Sequence, residues 1–139
     1  MNSYQNVSWT EIERLIELLY KKITSLSKDF TSISTISRGG LVPSRLLADH
    51  LGIDVILVDK NQIPSDSLFV DDIYDSGNTF KKILPKIVEP SNFVYATLFA
   101  RRGKTYPKQL VYSQKTKGTE YIVFPWDKLE YKRLKEFAL

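Results

Sequence analysis

The stretch Leu68-Phe69-Val70-Asp71-Asp72-Ile73-Tyr74-Asp75-Ser76-Gly77-Asn78-Thr79 confines the fold of this chain more than any other. Leu68 to Asp71 reads as a strand with two carboxylates at its end and a third carboxylate three residues further on. Ser76 to Thr79 then turns into a helix that includes Phe80, Ile83 and Leu84 and is limited by Pro85 and Pro90. A buried strand that runs through a short turn into a helix is half of a βαβ unit, and such units build parallel sheets.

The rest of the chain repeats this alternation. Ser8 with Glu11 forms a capping box, and Ile12, Leu15, Ile16, Leu19 and Ile23 recur at helical spacing, so a helix is expected to about Ser27. Ser32 to Ser37 reads as a buried strand bounded by Arg38-Gly39-Gly40. Near Pro43 a second helix begins, with Leu46, Leu47 and Leu51 on its apolar side and Gly52 ending it. Val55 to Asp59 is a further strand and Asn61 to Ser67 a polar loop. Phe93 to Ala100 is almost wholly apolar, as expected of a strand covered on both faces. Leu110 to Ser113 and Tyr121 to Phe124 give weaker strand patterns. The expected fold class is α/β, a mainly parallel central sheet flanked by helices, in a single domain over residues 1–139.

Composition excludes several chemistries. There is no cysteine and one histidine, His50, so disulfides, thiolate metal sites and paired imidazoles are ruled out. No apolar run reaches the ~18 residues that span a bilayer, and the polar Met1 to Ser8 lacks the pattern of a signal peptide. A cytoplasmic protein without a membrane partner is expected. The net charge of +4 suits phosphorylated small molecules as well as nucleic acid. Its densest basic stretch, Lys128 to Lys135, is interrupted by Glu130 and reads as a solvated helix face, so no nucleic-acid partner is expected.

The Asp71–Thr79 segment carries the chemistry. Ligands of open α/β sheets bind at the carboxyl ends of strands, where Ser76, Gly77, Asn78 and Thr79 offer hydroxyls and a close backbone to a phosphate. Adjacent carboxylates beside an anion site make sense when they hold sugar hydroxyls, or a Mg²⁺ bridging sugar and pyrophosphate oxygens. The combination points to a ribose 5-phosphate. At another strand's end, Ser37, Arg38 and Gly39 pair a guanidinium with a flexible backbone, a turn able to wrap pyrophosphate.

The Asp-Asp, two residues, Asp-Ser-Gly-x-Thr pattern resembles the signature of type I phosphoribosyltransferases, with Ser76 where Thr is commoner. Ser37-Arg38-Gly39-Gly40-Leu41-Val42-Pro43, Val7-Ser8-Trp9 and Phe124-Pro125-Trp126-Asp127 are similar to the bacterial xanthine-guanine group, and the likeness covers nearly the whole chain. The resemblance implies an enzyme that uses phosphoribosyl pyrophosphate (PRPP), a 6-oxopurine base and Mg²⁺, assembled as a dimer or tetramer. In its terms Asp71 and Asp72 hold ribose hydroxyls and metal, while Ser76, Gly77, Asn78 and Thr79 hold the 5-phosphate. Ser37, Arg38 and Gly39 hold pyrophosphate, and Asp75 acts as acid/base near the purine N7. Arg101, where lysine is usual, meets the 6-oxo group; Tyr121 stacks on the base beside Ile122, and Trp126 packs structurally. One departure is plain. The family carries a long hood before the paired acids, and here only Asn61 to Ser67 fill that place. Either an enzyme with an uncovered site or a PRPP- or nucleotide-binding regulatory protein of the same fold fits this sequence.

Overall fold

The computed structural model describes residues 3–137, apart from the side chains of Glu130, Leu134, Glu136 and Phe137. Its centre is a five-stranded, all-parallel sheet ordered β3-β2-β4-β5-β6. These strands are β2 (Ser32–Thr35), β3 (Ile56–Val58), β4 (Ser67–Tyr74), β5 (Val94–Ala100) and β6 (Leu110–Lys115). Helices α1 (Trp9–Thr24) and α2 (Leu41–Leu51) cover one face, where Ile12, Leu15, Ile16, Leu19 and Leu47 pack on Ile33, Leu68, Val70 and Leu98. The short α3 (Asn78–Ile83) covers the other, closing Phe80 and Ile83 over Phe69, Phe93 and Tyr95. Two covered faces explain the unbroken apolar runs of β4 and β5, since burying each large side chain contributes about 1.5–3 kcal/mol.

Several expected boundaries shift. Helix α1 starts where the capping box placed it, with the Glu11 N–H donating to Ser8 Oγ at 3.2 Å, but ends at Thr24 rather than near Ser27. Strand β2 stops at Thr35, and Leu84 falls in a 3-10 turn instead of the third helix. Strand β4 continues past Asp71 to Tyr74, because pairing with β5 holds it extended. A strand absent from the sequence reading, β1 (Tyr4–Asn6), pairs in parallel with β7 (Tyr121–Val123) as a separate two-stranded sheet. The chain closes with α4 (Lys128–Phe137), on which Lys128, Lys132, Arg133 and Lys135 are exposed, the solvated basic face expected. Among the described residues no helix is long and apolar enough to cross a membrane.

Strand order fixes where a ligand goes. From β2 the chain crosses over α2 to β3 on one side, and from β4 it crosses over α3 to β5 on the other. The two connections leave neighbouring strands in opposite directions, which opens a crevice between the carboxyl ends of β2 and β4. Open α/β sheets bind ligands at such a switch point.

Candidate active site

The crevice is a cavity of about 280 Å³ whose lining includes Ser37 and Gly39 from the loop after β2, Asp71 and Asp72 from β4, and Asp75 to Thr79 from the following turn. Two stretches more than thirty residues apart in sequence thus meet at one place. At Gly39 an added Cβ would lie 2.7 Å from Asp72 Oδ2, so a larger residue would push the Asp72 carboxylate aside. At Gly40 an added Cβ would fall closer still, onto Thr35 Oγ1 and 2.8 Å from the Val70 carbonyl oxygen. Gly77 has φ +87°, and a Cβ there would stand 2.6 Å from the Tyr74 hydroxyl. It offers no capping oxygen to α3, and the Asn78 N–H donates instead to Ser76 Oγ at 3.3 Å.

Asp71 is 8% exposed. Its Oδ1 accepts the Asp72 N–H at 2.8 Å and its Oδ2 accepts the Tyr95 hydroxyl at 2.9 Å. Asp72 Oδ1 accepts the Ile73 N–H at 2.7 Å. Burial raises the Asp71 carboxyl above its ordinary value against these hydrogen bonds. Burial, then the neighbouring Asp71 charge, pushes Asp72 up much further, and Asp127 adds to it. Burial and the Asp71 charge also keep the Tyr95 phenol protonated, and therefore a donor. Among the described residues no group of three or more His, Cys, Asp or Glu side chains converges into a complete metal site.

Asp75 lines the cavity and also a smaller pocket of about 90 Å³ shared with Asp72, Arg101, Tyr121, Ile122 and Asp127. Arg101, 9% exposed, donates from Nε to Asp75 Oδ1 at 3.0 Å and from Nη2 to Oδ2 at 3.5 Å. Its Nη1 donates to the carbonyls of Gly118 and Glu120 at 3.0 and 2.9 Å. Four of the five guanidinium N–H groups are therefore placed within the protein, and one Nη2 N–H is left. Arg101 so ties the acid at the end of β4 to the segment that leads into Tyr121. The Tyr121 ring is 52% exposed and stacks on Tyr131 of α4, centroids 5.6 Å apart. Trp126 stacks on Phe124 at 4.9 Å and packs near Trp9, the structural role expected of it.

On the other side of the crevice, Arg38 and Gly39 border a third pocket with Tyr121, Asp127 and Tyr131. The Ser37 donors turn away from the cavity, to Asp59: its N–H reaches Oδ1 at 2.9 Å and its hydroxyl Oδ2 at 2.5 Å. Between β3 and β4 the chain is as short as the sequence indicated, pinned by the Ile63–Ile87 bridge. Sequence reasoning missed Tyr95, Asp59 and Tyr131. Tyr95 lies in an apolar strand and gives no separate signal, and the other two carry no motif of their own. Asp127 stood inside the quoted Phe-Pro-Trp-Asp motif, which was the available clue.

No family sequence model matches the chain. It is 29% identical over 140 residues to the xanthine-guanine phosphoribosyltransferase of Chromohalobacter salexigens, covering 87% of this chain and 82% of that protein. The xanthine-guanine-hypoxanthine phosphoribosyltransferase of Helicobacter pylori superposes with a TM-score of 0.74 at 20% identity, over 96% of this chain and 99% of the other. A hypothetical protein from Neisseria gonorrhoeae with bound ppGpp superposes at 0.71 with 21% identity, over 100% and 99%. The architecture is that of type I phosphoribosyltransferases, and in sequence the chain is similar to bacterial xanthine-guanine phosphoribosyltransferases over most of its length.

Proposed function

We propose that the chain, as one domain, transfers the 5-phosphoribosyl group of PRPP to a 6-oxopurine (guanine, xanthine or hypoxanthine) and releases pyrophosphate, a purine-salvage reaction of the cytoplasm. The observation that carries this is the meeting, at one switch point, of the Asp71–Thr79 turn, the Gly39 loop and the Asp75–Arg101–Tyr121 pocket. In this reading Ser76, Gly77, Asn78 and Thr79 hold the 5-phosphate through turn N–H groups and hydroxyls. Asp71 and Asp72 hold the ribose hydroxyls, with Asp71 oriented by Tyr95. Ser37, Arg38 and Gly39 form the pyrophosphate loop. Tyr121 stacks on the base, Ile122 lies beside it, and the remaining Arg101 N–H meets the purine oxygen.

The donor set suits Mg²⁺. Two adjacent carboxylates, Asp71 buried and Asp72 half-buried, supply hard oxygens, and a cation beside them favours the ionised form that burial opposes. Asp71 and Asp72 would hold it, with ligand and water oxygens completing the shell, and the ion would neutralise charge on the departing pyrophosphate. As the purine nitrogen bonds to ribose C1, the C1–O bond to pyrophosphate breaks. Asp75, paired with Arg101, takes the proton near N7. Catalysis then comes mainly from positioning and charge stabilisation.

The assay is nucleotide formation from PRPP, Mg²⁺ and each of the three bases. Transfer with at least one base is expected, and Asp75→Asn should depress kcat far more than PRPP affinity. Absence of product with every base, alongside calorimetric binding of a nucleotide, would overturn transfer in favour of a regulatory nucleotide-binding protein. The short connection after β3 and the ppGpp bound to the Neisseria gonorrhoeae structure favour that second reading. A homo-oligomer, dimer or tetramer, belongs to the proposal and is checked by sedimentation equilibrium.

A further inference from the structure

Asp59 is the first residue after β3 and takes a left-handed φ of 54°. Its own N–H donates to the Thr35 carbonyl at 3.0 Å, fixing it beside the end of β2. Both of its carboxylate oxygens are bonded to one residue, Ser37, through the backbone N–H and the hydroxyl. The two Ser37 bonds hold the acid below the ordinary carboxylate value, and Lys86 and Lys82 across the adjoining cleft add to this. The loop after β2 therefore faces two ways. Ser37 turns outward to a protein carboxylate, while Gly39 lines the cavity with its N–H unpartnered among the described residues.

We propose that Asp59 is a positioning residue for the pyrophosphate loop, gripping Ser37 from outside so that the Gly39 backbone is presented to the pyrophosphate group of PRPP. The inference rests on the transfer reaction proposed above. Asp59 touches no reacting atom, since it lines the neighbouring cleft and not the cavity. Without the grip the ligand itself has to order the loop, and that ordering costs affinity. The grip sits where the chain has only a short connection in place of a hood, so the loop takes its order from Asp59 rather than from a covering segment.

Steady-state kinetics of Asp59→Ala, Asp59→Asn, Ser37→Ala and the Asp59→Ala/Ser37→Ala double variant test this, with PRPP and purine varied separately. Asp59→Ala is expected to raise the KM for PRPP about tenfold, as loss of charge-assisted bonds does, and to leave the purine KM within about twofold. Asp59→Asn keeps an acceptor oxygen and should fall between Asp59→Ala and the wild type. The double variant should be no worse than Asp59→Ala, because both changes break the same contact. An unchanged PRPP KM in Asp59→Ala, an equal rise for both substrates with a lowered Tm, or additive effects in the double variant would each overturn the proposal. If the wild type forms no nucleotide, the transfer reading has failed by itself. Calorimetry of PRPP binding then decides: about tenfold weaker binding by Asp59→Ala upholds the positioning role, and equal binding removes it.

Discussion

Carboxylates placed side by side on one strand repel, and burying them deepens the penalty. Asp71 and Asp72 bear this penalty, and both carboxyls are raised above their ordinary value. A carboxyl raised in the folded state holds its proton longer than in the unfolded chain, so stability falls as pH climbs from about 3.8 through the folded value and stays lower above it. Asp72→Asn is therefore expected to be more stable than the wild type at pH 7, by on the order of 1 kcal/mol or more, while abolishing turnover. The gain should disappear below about pH 3.8, as thermal melts across pH would show. Destabilisation by Asp72→Asn at neutral pH would mean that the pair is not strained by its charge. Gly40 is constrained by shape instead. Its missing Cβ would meet Thr35 Oγ1 and the Val70 carbonyl, both fixed by the Thr35-to-Val70 hydrogen bond of 2.6 Å. Gly40→Ala should cost about 1–3 kcal/mol by overpacking, seen as a lowered urea midpoint at unchanged m-value.

Strand β4 shows why an element's end is hard to read from its residues. Aspartate is depleted in strands, so the sequence alone predicts an end at Asp71. Pairing of Asp71 with Thr97 and of Tyr74 with Ala100 carries the strand three residues further. Asp71 and Asp72 consequently stand on a central strand of the sheet rather than in a loop, which fixes their spacing. Strand β1 is the opposite case: Tyr4-Gln5-Asn6 has no apolar alternation and becomes a strand only because β7 lies beside it. Its ladder, with the Val7 N–H to Val123 carbonyl at 3.0 Å and the Tyr121 N–H to Ser3 carbonyl at 3.2 Å, positions Tyr121 and Ile122. Deleting residues 1–6 is expected to raise the purine KM several-fold while leaving PRPP affinity near the wild-type value, since the PRPP cavity touches neither strand. Equal losses for both substrates would show that β1 supports the whole fold rather than the base pocket.

At the scale of the whole molecule, the sheet brings the two loops together and, among the described residues, leaves them uncovered. A short connection after β3, bridged to Ile87, gives no flap that reaches over the cavity. Exclusion of water from a ribosyl centre needs such a cover. With PRPP and Mg²⁺ but no purine, slow hydrolysis to ribose 5-phosphate and pyrophosphate is expected, followed by phosphorus NMR. Complete resistance to hydrolysis would show that another part of the assembly closes the site. The sequence by itself determined the α/β class, the helix and strand alternation and the Asp71–Thr79 turn, because periodicity and turn chemistry are local and are written in consecutive residues. The tertiary structure alone decided that Asp59 grips Ser37, that Tyr95 orients Asp71 and that Arg101 joins Asp75 to the β7 segment. Those contacts join residues 17 to 26 positions apart across strand order and crossovers, and nothing local in a sequence records which strand becomes the neighbour of which.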